Sequence, residues 1–294
     1  DEIGEDSQLD LARAVGGAPL FIERGEGAYL LNSEGDRFLK NYAPNAMELA
    51  SRDVISRAEQ VEIDEGRGVN GNVLLDMRHL GAEKILERLH GTRELSMTFA
   101  GVDPINEPIP VRPGAHYHMG GVDTDHEEGI TELEGLYAAG ECACVSVHGA
   151  NRLGGNALME TITYGRRAGA AAADWALTHT TVAVPRGIEV DAERELKTLL
   201  DRRDGERPWQ IRDELARTMH ENFGVFRREK QMKEQERIVG FLRERYEKVV
   251  VDDKGEVFNN DLTQALELGF LLDLAACMIV AGIERKESRG AHAR

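Results

Sequence analysis

The sequence predicts an α+β fold, with a small-sheet region first and a helical bundle after it. Three observations predict this. Short apolar runs bounded by Gly and Asn fill the first third of the chain. A connector punctuated by Pro104, Pro108, Pro110 and Pro113 follows. Beyond Pro185 the composition turns strongly charged, with apolar positions at helical spacing.

Taken in order, residues 1–19 are weakly patterned, with a short helical stretch expected around Leu9 to Val15. Ala28 to Leu31, a turn at Asn32 to Gly35 and a return to Phe38 read as a hairpin. A helix is expected from about Met47 to Glu65, with Ser51 as its cap or Asp53 as its first-turn acid. Val73 to Met77 reads as a strand, and Gly81 to Leu89 and Glu94 to Phe99 as short helices. The proline connector then marks a boundary, giving expected units 1–113, 114–184 and 185–294. In the second unit the apolar run Leu136 to Ala139 is expected as a strand, and Asn156 to about His179 as a helix. Gly165, Gly169 and Ala170 to Ala173 would let that helix lie close to a sheet. In the tail, helices are expected over Arg207–Phe223, Arg227–Tyr246 and Asn259–Ile283. Met232, Val239, Leu242 and Tyr246 share one face of the second.

The 294 residues carry 53 acidic and 36 basic side chains, a formal charge of −17. That balance opposes binding to nucleic acid, whose phosphates it would repel. It suits a heavily solvated surface, or a negative face for a basic partner. Leu266 to Ile283 is the most apolar stretch, but Glu267 and Asp273 interrupt it, so it reads as a buried helix rather than a membrane span. The start at Asp1 has neither a basic segment nor an apolar core, so no secretory signal is read there, and without an initiator Met a non-native start is expected. Three cysteines, Cys142 and Cys144 among them, form no disulfide framework, and a reducing compartment is expected. Cys142 and Cys144 lack four-ligand zinc spacing and read as small buried thiols, so no metal site is expected. Ser146 and His148 have triad residue types without a nucleophile elbow. No G-x-G-x-x-G follows a strand and opens a helix, and there is no Walker loop.

The stretch GLYAAGECACVSVHGANRLGGNAL (135–158) carries the chemistry. An apolar run, the carboxylate of Glu141, a Gly/Asn/Arg loop and a helix start follow one another. The unsatisfied N–H groups of a helix start favour electron-rich ligand atoms. Arg152 in that loop has the planar fork that matches a carboxylate. Arg52 and His116 are the further candidates, and if the three converge they make a dicarboxylate clamp. Taken singly, each also fits a structural role, Arg52 as a surface arginine paired with a neighbouring acid.

CVSVHGANRLGGNAL (144–158) resembles the flavoprotein subunit of succinate dehydrogenase and fumarate reductase. So do RGEGAYLLN (24–32), YAPNAMELASRDV (42–54), FAGVDPINEPIPVRPGAHYHMGGV (99–122) and ESRGAHAR (287–294), in the same order. The resemblance implies the C-terminal part of an FAD-binding α/β domain with a capping domain, followed by a helical domain. It implies that Arg52 exchanges the proton at the substrate carbon and that His116 and Arg152 hold substrate carboxylates. It implies that Glu141, Arg152, Asn156, Ala157 and Leu158 contact FAD. Succinate and fumarate would be the substrates, with an iron–sulfur subunit and membrane anchor subunits as partners at the cytoplasmic face of the cell membrane. The family's glycine-rich FAD-binding half has no counterpart here, and Leu20 to Glu23 stand where a Thr-Glu pair is expected. His118 replaces a residue that is usually uncharged. L-aspartate oxidase, which shares the HGANRL-type motif, is the alternative enzyme. A catalytically silent fragment is the alternative of another class.

Overall fold

The computed structural model describes residues 24–180, 183–185, 187–255 and 257–294. The expected helix at Leu9 to Val15 and the departure at Leu20 to Glu23 lie outside them. The chain divides into two compact units, Asp1–Thr178 and His179–Arg294.

The first unit is built on a three-stranded antiparallel sheet in the order β1 (Tyr29–Leu31), β2 (Val73–Asp76), β3 (Ile109–Val111). The register puts Leu30 opposite Leu75, Val73 opposite Val111 and Leu75 opposite Ile109. All of these are buried, so one sheet face is a continuous apolar surface. Helix α1 (Leu39–Tyr42) and helix α2 (Arg52–Asp64) contribute Leu39, Ile55 and Ala58 to the same core. Helix α3 (Ala82–Arg88) adds Ile85; α4 (His90–Leu95) continues into a wider π turn over Ser96–Ala100.

The expected hairpin does not form. Its turn does: the Asn32 side chain accepts from the Glu34 and Asp36 amides, and Gly35 has φ +78°. The returning residues Phe38 and Leu39 are both buried, a pattern that no half-buried strand can satisfy, so they enter the core and start α1. The partner of β1 is β2, more than forty residues on. The proline connector supplies β3, with Pro110 at mid-strand; a sheet edge tolerates proline because no inward amide is needed there.

Glu62, 2% exposed, fastens these parts together. It accepts hydrogen bonds from Asn32 in the turn, Tyr42 of α1 and Arg67 after α2. Helix α2 is preceded by a 3₁₀ turn over Met47–Leu49, so the expected single helix is two pieces. Ser51 occupies the N-cap position without a side-chain cap bond, and Asp53 is the first-turn acid.

Beyond the connector, β4 (Val122–Asp123) pairs in parallel with β5 (Ala143–Cys144). Gly121, at φ +131°, is required there, because a Cβ would stand 2.3 Å from the Cys142 carbonyl that accepts the Val122 amide. The expected strand Leu136 to Ala139 makes one bridge, Ile130 to Tyr137, and is otherwise clipped to the 125–131 loop by isolated backbone bonds. Helix α5 (Asn156–Thr178) forms as expected. Its small residues do not approach a sheet among the described residues. Gly165 and Gly169 face open space, and Ala168 packs on the Gly129 loop instead.

The second unit contains α6 (Ile188–Asp201), α7 (Pro208–Phe223), α8 (Glu229–Tyr246) and α9 (Asn260–Glu284). Asn259 caps α9 by accepting from the Leu262 amide at 2.8 Å. Met232, Val239 and Leu242 of α8 are buried and Tyr246 is half-buried. Helix α9 is long and apolar enough to cross a membrane by length and composition alone. Here its Ala265, Leu268, Leu272 and Ile279 stripe is buried, while Phe270 and Leu274 are exposed, so it is buried on one face rather than throughout. Residues 287–294 dock on the α7–α8 turn, where Arg227 gives its amide to Ala293 and its guanidinium to His292 Nδ1.

Bonds from Arg67 chiefly, then Tyr42 and Asn32, outweigh burial and hold Glu62 at about 2. A depressed carboxylate stabilises the fold above its unfolded value, near 4.5, and that contribution is lost as pH falls towards 2. Urea midpoints between pH 6 and pH 2 should therefore fall with acid. Glu62→Gln should lower the midpoint at pH 6 and flatten the acid slope.

Candidate functional site

The segment 114–121 runs beside the loop that joins β5 to α5. Arg152, in that loop, is 7% exposed. Its Cζ lies 4.6 Å above the Tyr117 ring, and its Nη1 donates to the Leu153 carbonyl at 3.2 Å. Its Nε is buried without a hydrogen-bond partner. Tyr117 Oη donates to Glu160 Oε2. His148 Nε2 sits 2.6 Å from the same carboxylate oxygen and 3.2 Å from Tyr117 Oη. Burial, with the Glu160 bond and charge, pushes the Tyr117 hydroxyl well above its ordinary value.

Arg52 is the first residue of α2. The next residue, Asp53, binds three partners: the Ser51 hydroxyl at 2.5 Å, Arg57 at 2.8 Å and Asn151 Nδ2 at 2.8 Å. Burial pushes the Asp53 carboxyl up, but the Ser51 and Arg57 bonds, the Arg57 charge and the Val54 amide outweigh it and leave it lowered. The Asn151 bond spans 98 residues and ties the start of α2 to the loop carrying Arg152. Arg57, one turn along, makes an ion pair with Asp53, the acid next to Arg52.

Arg52 lies below the ordinary arginine value through burial first and then through the positive charge of Arg152. His116 is exposed at its surface, yet partial desolvation lowers it first, then Arg52 and Arg152, with Glu141 opposing. Arg52, His116 and Arg152 therefore occupy one electrostatic neighbourhood, as a dianion clamp requires. Glu141 flanks it, exposed, accepting the His118 amide at 3.0 Å.

The N-terminus of α5 follows directly. Gly155 has φ +81° with open space around the Cβ position, so a planar ligand can approach the backbone closely there. First-turn amides such as those of Ala157 and Leu158 have no acceptor within the helix. Leu158 is exposed and Asn156 and Ala157 are half-exposed. A helix start, a glycine approach and the neighbouring Glu141 fit one edge of a flavin.

Cys142 is exposed and Cys144 half-buried, so the expectation of two buried thiols fails: the β4–β5 pair is too short to cover them. Among the described residues no cluster of three His, Cys, Asp or Glu side chains could hold a metal. His148 faces Glu160 and Tyr117, and no bond to Ser146 accompanies it. Sequence reasoning missed Asp53, Asn151, Tyr117 and Glu160. Asp53 and Asn151 are the immediate neighbours of Arg52 and Arg152, and Glu160 lies one helical turn beyond Asn156, so adjacency was the available signal.

Comparison with known proteins gives the following. A family described as FAD binding domain matches residues 11–158, and one described as fumarate reductase flavoprotein C-term matches 212–294. The fumarate reductase flavoprotein subunit of Proteus vulgaris is 43% identical over 292 residues, covering 92% of this chain and 48% of that protein. The succinate dehydrogenase flavoprotein subunit of Rickettsia bellii (strain RML369-C) is 41% identical, with the same coverage. A solved quinol–fumarate reductase with menaquinol molecules superposes with TM-score 0.85 at 41% identity, over 92% of this chain and 50% of that one. Mycobacterium smegmatis Sdh1 in complex with UQ1 gives 0.78 at 35%, over 92% and 45%. The chain spans about half the length of these relatives.

The two guanidiniums beside His116 carry a direct consequence. Its depressed pKa means that the stability it contributes is present above pH 6.5 and lost as pH falls through the lower folded value. An NMR titration should place the His116 midpoint below 6.5, and Arg152→Gln, which removes one cation, should move it upward.

Proposed function

The chain belongs to the family of FAD-binding flavoprotein subunits of succinate dehydrogenase and fumarate reductase, and on that premise we propose that it interconverts succinate and fumarate. The observation that carries this reading is the 2.8 Å hydrogen bond from Asn151 to Asp53, which draws the neighbours of Arg152 and Arg52 together; burial and the Arg152 charge then lower Arg52. In water an arginine holds its proton to above about pH 12 and is a poor acid. Burial beside a second cation disfavours its charged form, which makes the proton easier to give up. A dicarboxylate seated between the two arginines pairs with both cations.

Arg152 holds one substrate carboxylate with its planar fork, and His116 donates a second hydrogen bond to the substrate. Arg52 delivers a proton to the substrate carbon in fumarate reduction and accepts one in succinate oxidation. The cofactor is FAD, which when bound takes or supplies the hydride at the adjacent carbon. Glu141, Arg152, Asn156, Ala157 and Leu158 are the residues that would hold it on this side. The first-turn amides of α5 favour negative charge at that edge.

In this reading residues 1–113 belong to a capping domain, 114–184 to the returning part of the FAD-binding domain, and 185–294 to the helical domain. Electrons pass to an iron–sulfur subunit, and membrane anchor subunits hold the assembly peripherally at the cytoplasmic face. The formal charge of −17 opposes nucleic acid as a partner.

Flavin binding is tested by titrating FAD and following its fluorescence, where saturable quenching is expected. With flavin bound, succinate–dye reductase activity should fall roughly 10²–10⁴-fold in Arg52→Ala, the usual range for losing a proton-transfer group. Arg152→Ala should raise KM as well as lower the rate. Activity that survives both substitutions would overturn the assignment.

A further inference from the structure

We infer that the cluster of half-buried Tyr117 with the buried side chains of Glu160 and His148 is the positioning device for Arg152. This rests on the reading of Arg152 as a carboxylate ligand and adds three residues to it that do not touch substrate.

The cluster is costly as mere filling. The His148 and Glu160 side chains are 6% and 2% exposed, His148 Nδ1 is buried without a hydrogen-bond partner, and burying such polar groups costs stability that apolar packing of the same volume would not. Helix α5 buries Glu160 and Ala168 and leaves Leu158, Met159 and Ile162 exposed, so a carboxylate fills a place that a neighbouring leucine could occupy. Such a group is retained for what it holds.

It holds Arg152 through one aromatic ring. The Glu160 carboxylate accepts from Tyr117 Oη at one end of the side chain, and the Arg152 guanidinium lies over the ring face, Cζ 4.6 Å from its centre. A hydroxyl donating to a carboxylate makes its ring richer in electrons, and a richer ring face attracts a cation more strongly. His148, 2.6 Å from Glu160 Oε2, fixes the carboxylate from within the loop that carries Arg152. The loop, the segment 114–121 and α5 thus meet at one oxygen atom.

The device answers a specific repulsion. The charge of Arg152 depresses both Arg52 and His116, so the site pushes Arg152 away from the position a substrate carboxylate needs. Asn151 bonds Asp53 and fixes the loop backbone, but it leaves the Arg152 side chain to find its own rotamer. The ring sets that rotamer together with the Leu153 carbonyl, which accepts from Arg152 Nη1 at 3.2 Å. Because a ring holds the guanidinium by its face, the fork edge stays available for a planar carboxylate.

A double-mutant cycle on fumarate binding tests this, measured by calorimetry on the full chain loaded with FAD. Tyr117→Leu removes the ring, Tyr117→Phe keeps the ring without its hydroxyl, and Glu160→Gln removes the charge. In the parent, Tyr117→Leu and Glu160→Gln should weaken fumarate binding about tenfold, and Tyr117→Phe by less. In an Arg152→Gln background the same substitutions should change affinity less than about twofold, because the group they position is gone. Equal losses in both backgrounds, or no loss in the parent, would overturn the positioning role and leave the carboxylate-ligand reading standing. Arg152→Gln binding fumarate as tightly as the parent, or a parent that binds none, would overturn that reading and the positioning role with it. If Tyr117→Leu does not fold, as circular dichroism would report, Tyr117→Phe and Glu160→Gln complete the cycle.

Discussion

Two arginines of like charge, Arg52 and Arg152, are brought close enough that one depresses the other, and the site depends on that enforced proximity. Left to themselves the guanidiniums would separate into water. The Asp53–Asn151 hydrogen bond prevents it, since its two ends are the residues next to each arginine. A charge-assisted bond of this kind is worth about 1.5–3 kcal/mol, comparable with a screened repulsion between cations near a surface.

The remainder of the first unit delivers Arg52 to that meeting point. The apolar face of the sheet buries Ile55 and Ala58 of α2, which sets the rotation of the helix, and Glu62 fixes its far end to the Asn32 turn and to Tyr42. With one face and one end held, the first residue of α2 has little freedom. The loop bearing Arg152 is held differently, by polar bonds to Asp53 and by the Tyr117–Glu160–His148 cluster. One arginine thus sits on an apolar scaffold and the other on a polar one.

Much of this was legible in the sequence where local pattern decides. The helices α2, α5, α7, α8 and α9 follow from periodicity and caps, and β2 from its apolar run. The hairpin failed because the Asn32 turn is real but Phe38 and Leu39 are captured by the core, a tertiary demand with no local sign. β3 was hidden by its prolines, which are tolerated only because the strand lies at the sheet edge. The strand near Leu136 was misplaced because parallel pairing of β4 with β5 depends on a glycine, Gly121, on a distant segment. Within the site, the residue types of Arg52, His116 and Arg152 were legible and their meeting was not. Convergence rests on a bond between residues 98 positions apart, and no spacing rule reaches that far.

The central claim is that Arg52, His116 and Arg152 form one receptor for a dianion. The most direct measurement is the pKa of His116 by NMR in the flavin-loaded protein, with and without saturating fumarate. A dianion seated between the arginines cancels the charges that depress His116, so the account predicts a clear rise on binding. Fumarate that binds while leaving the His116 midpoint unchanged would contradict it.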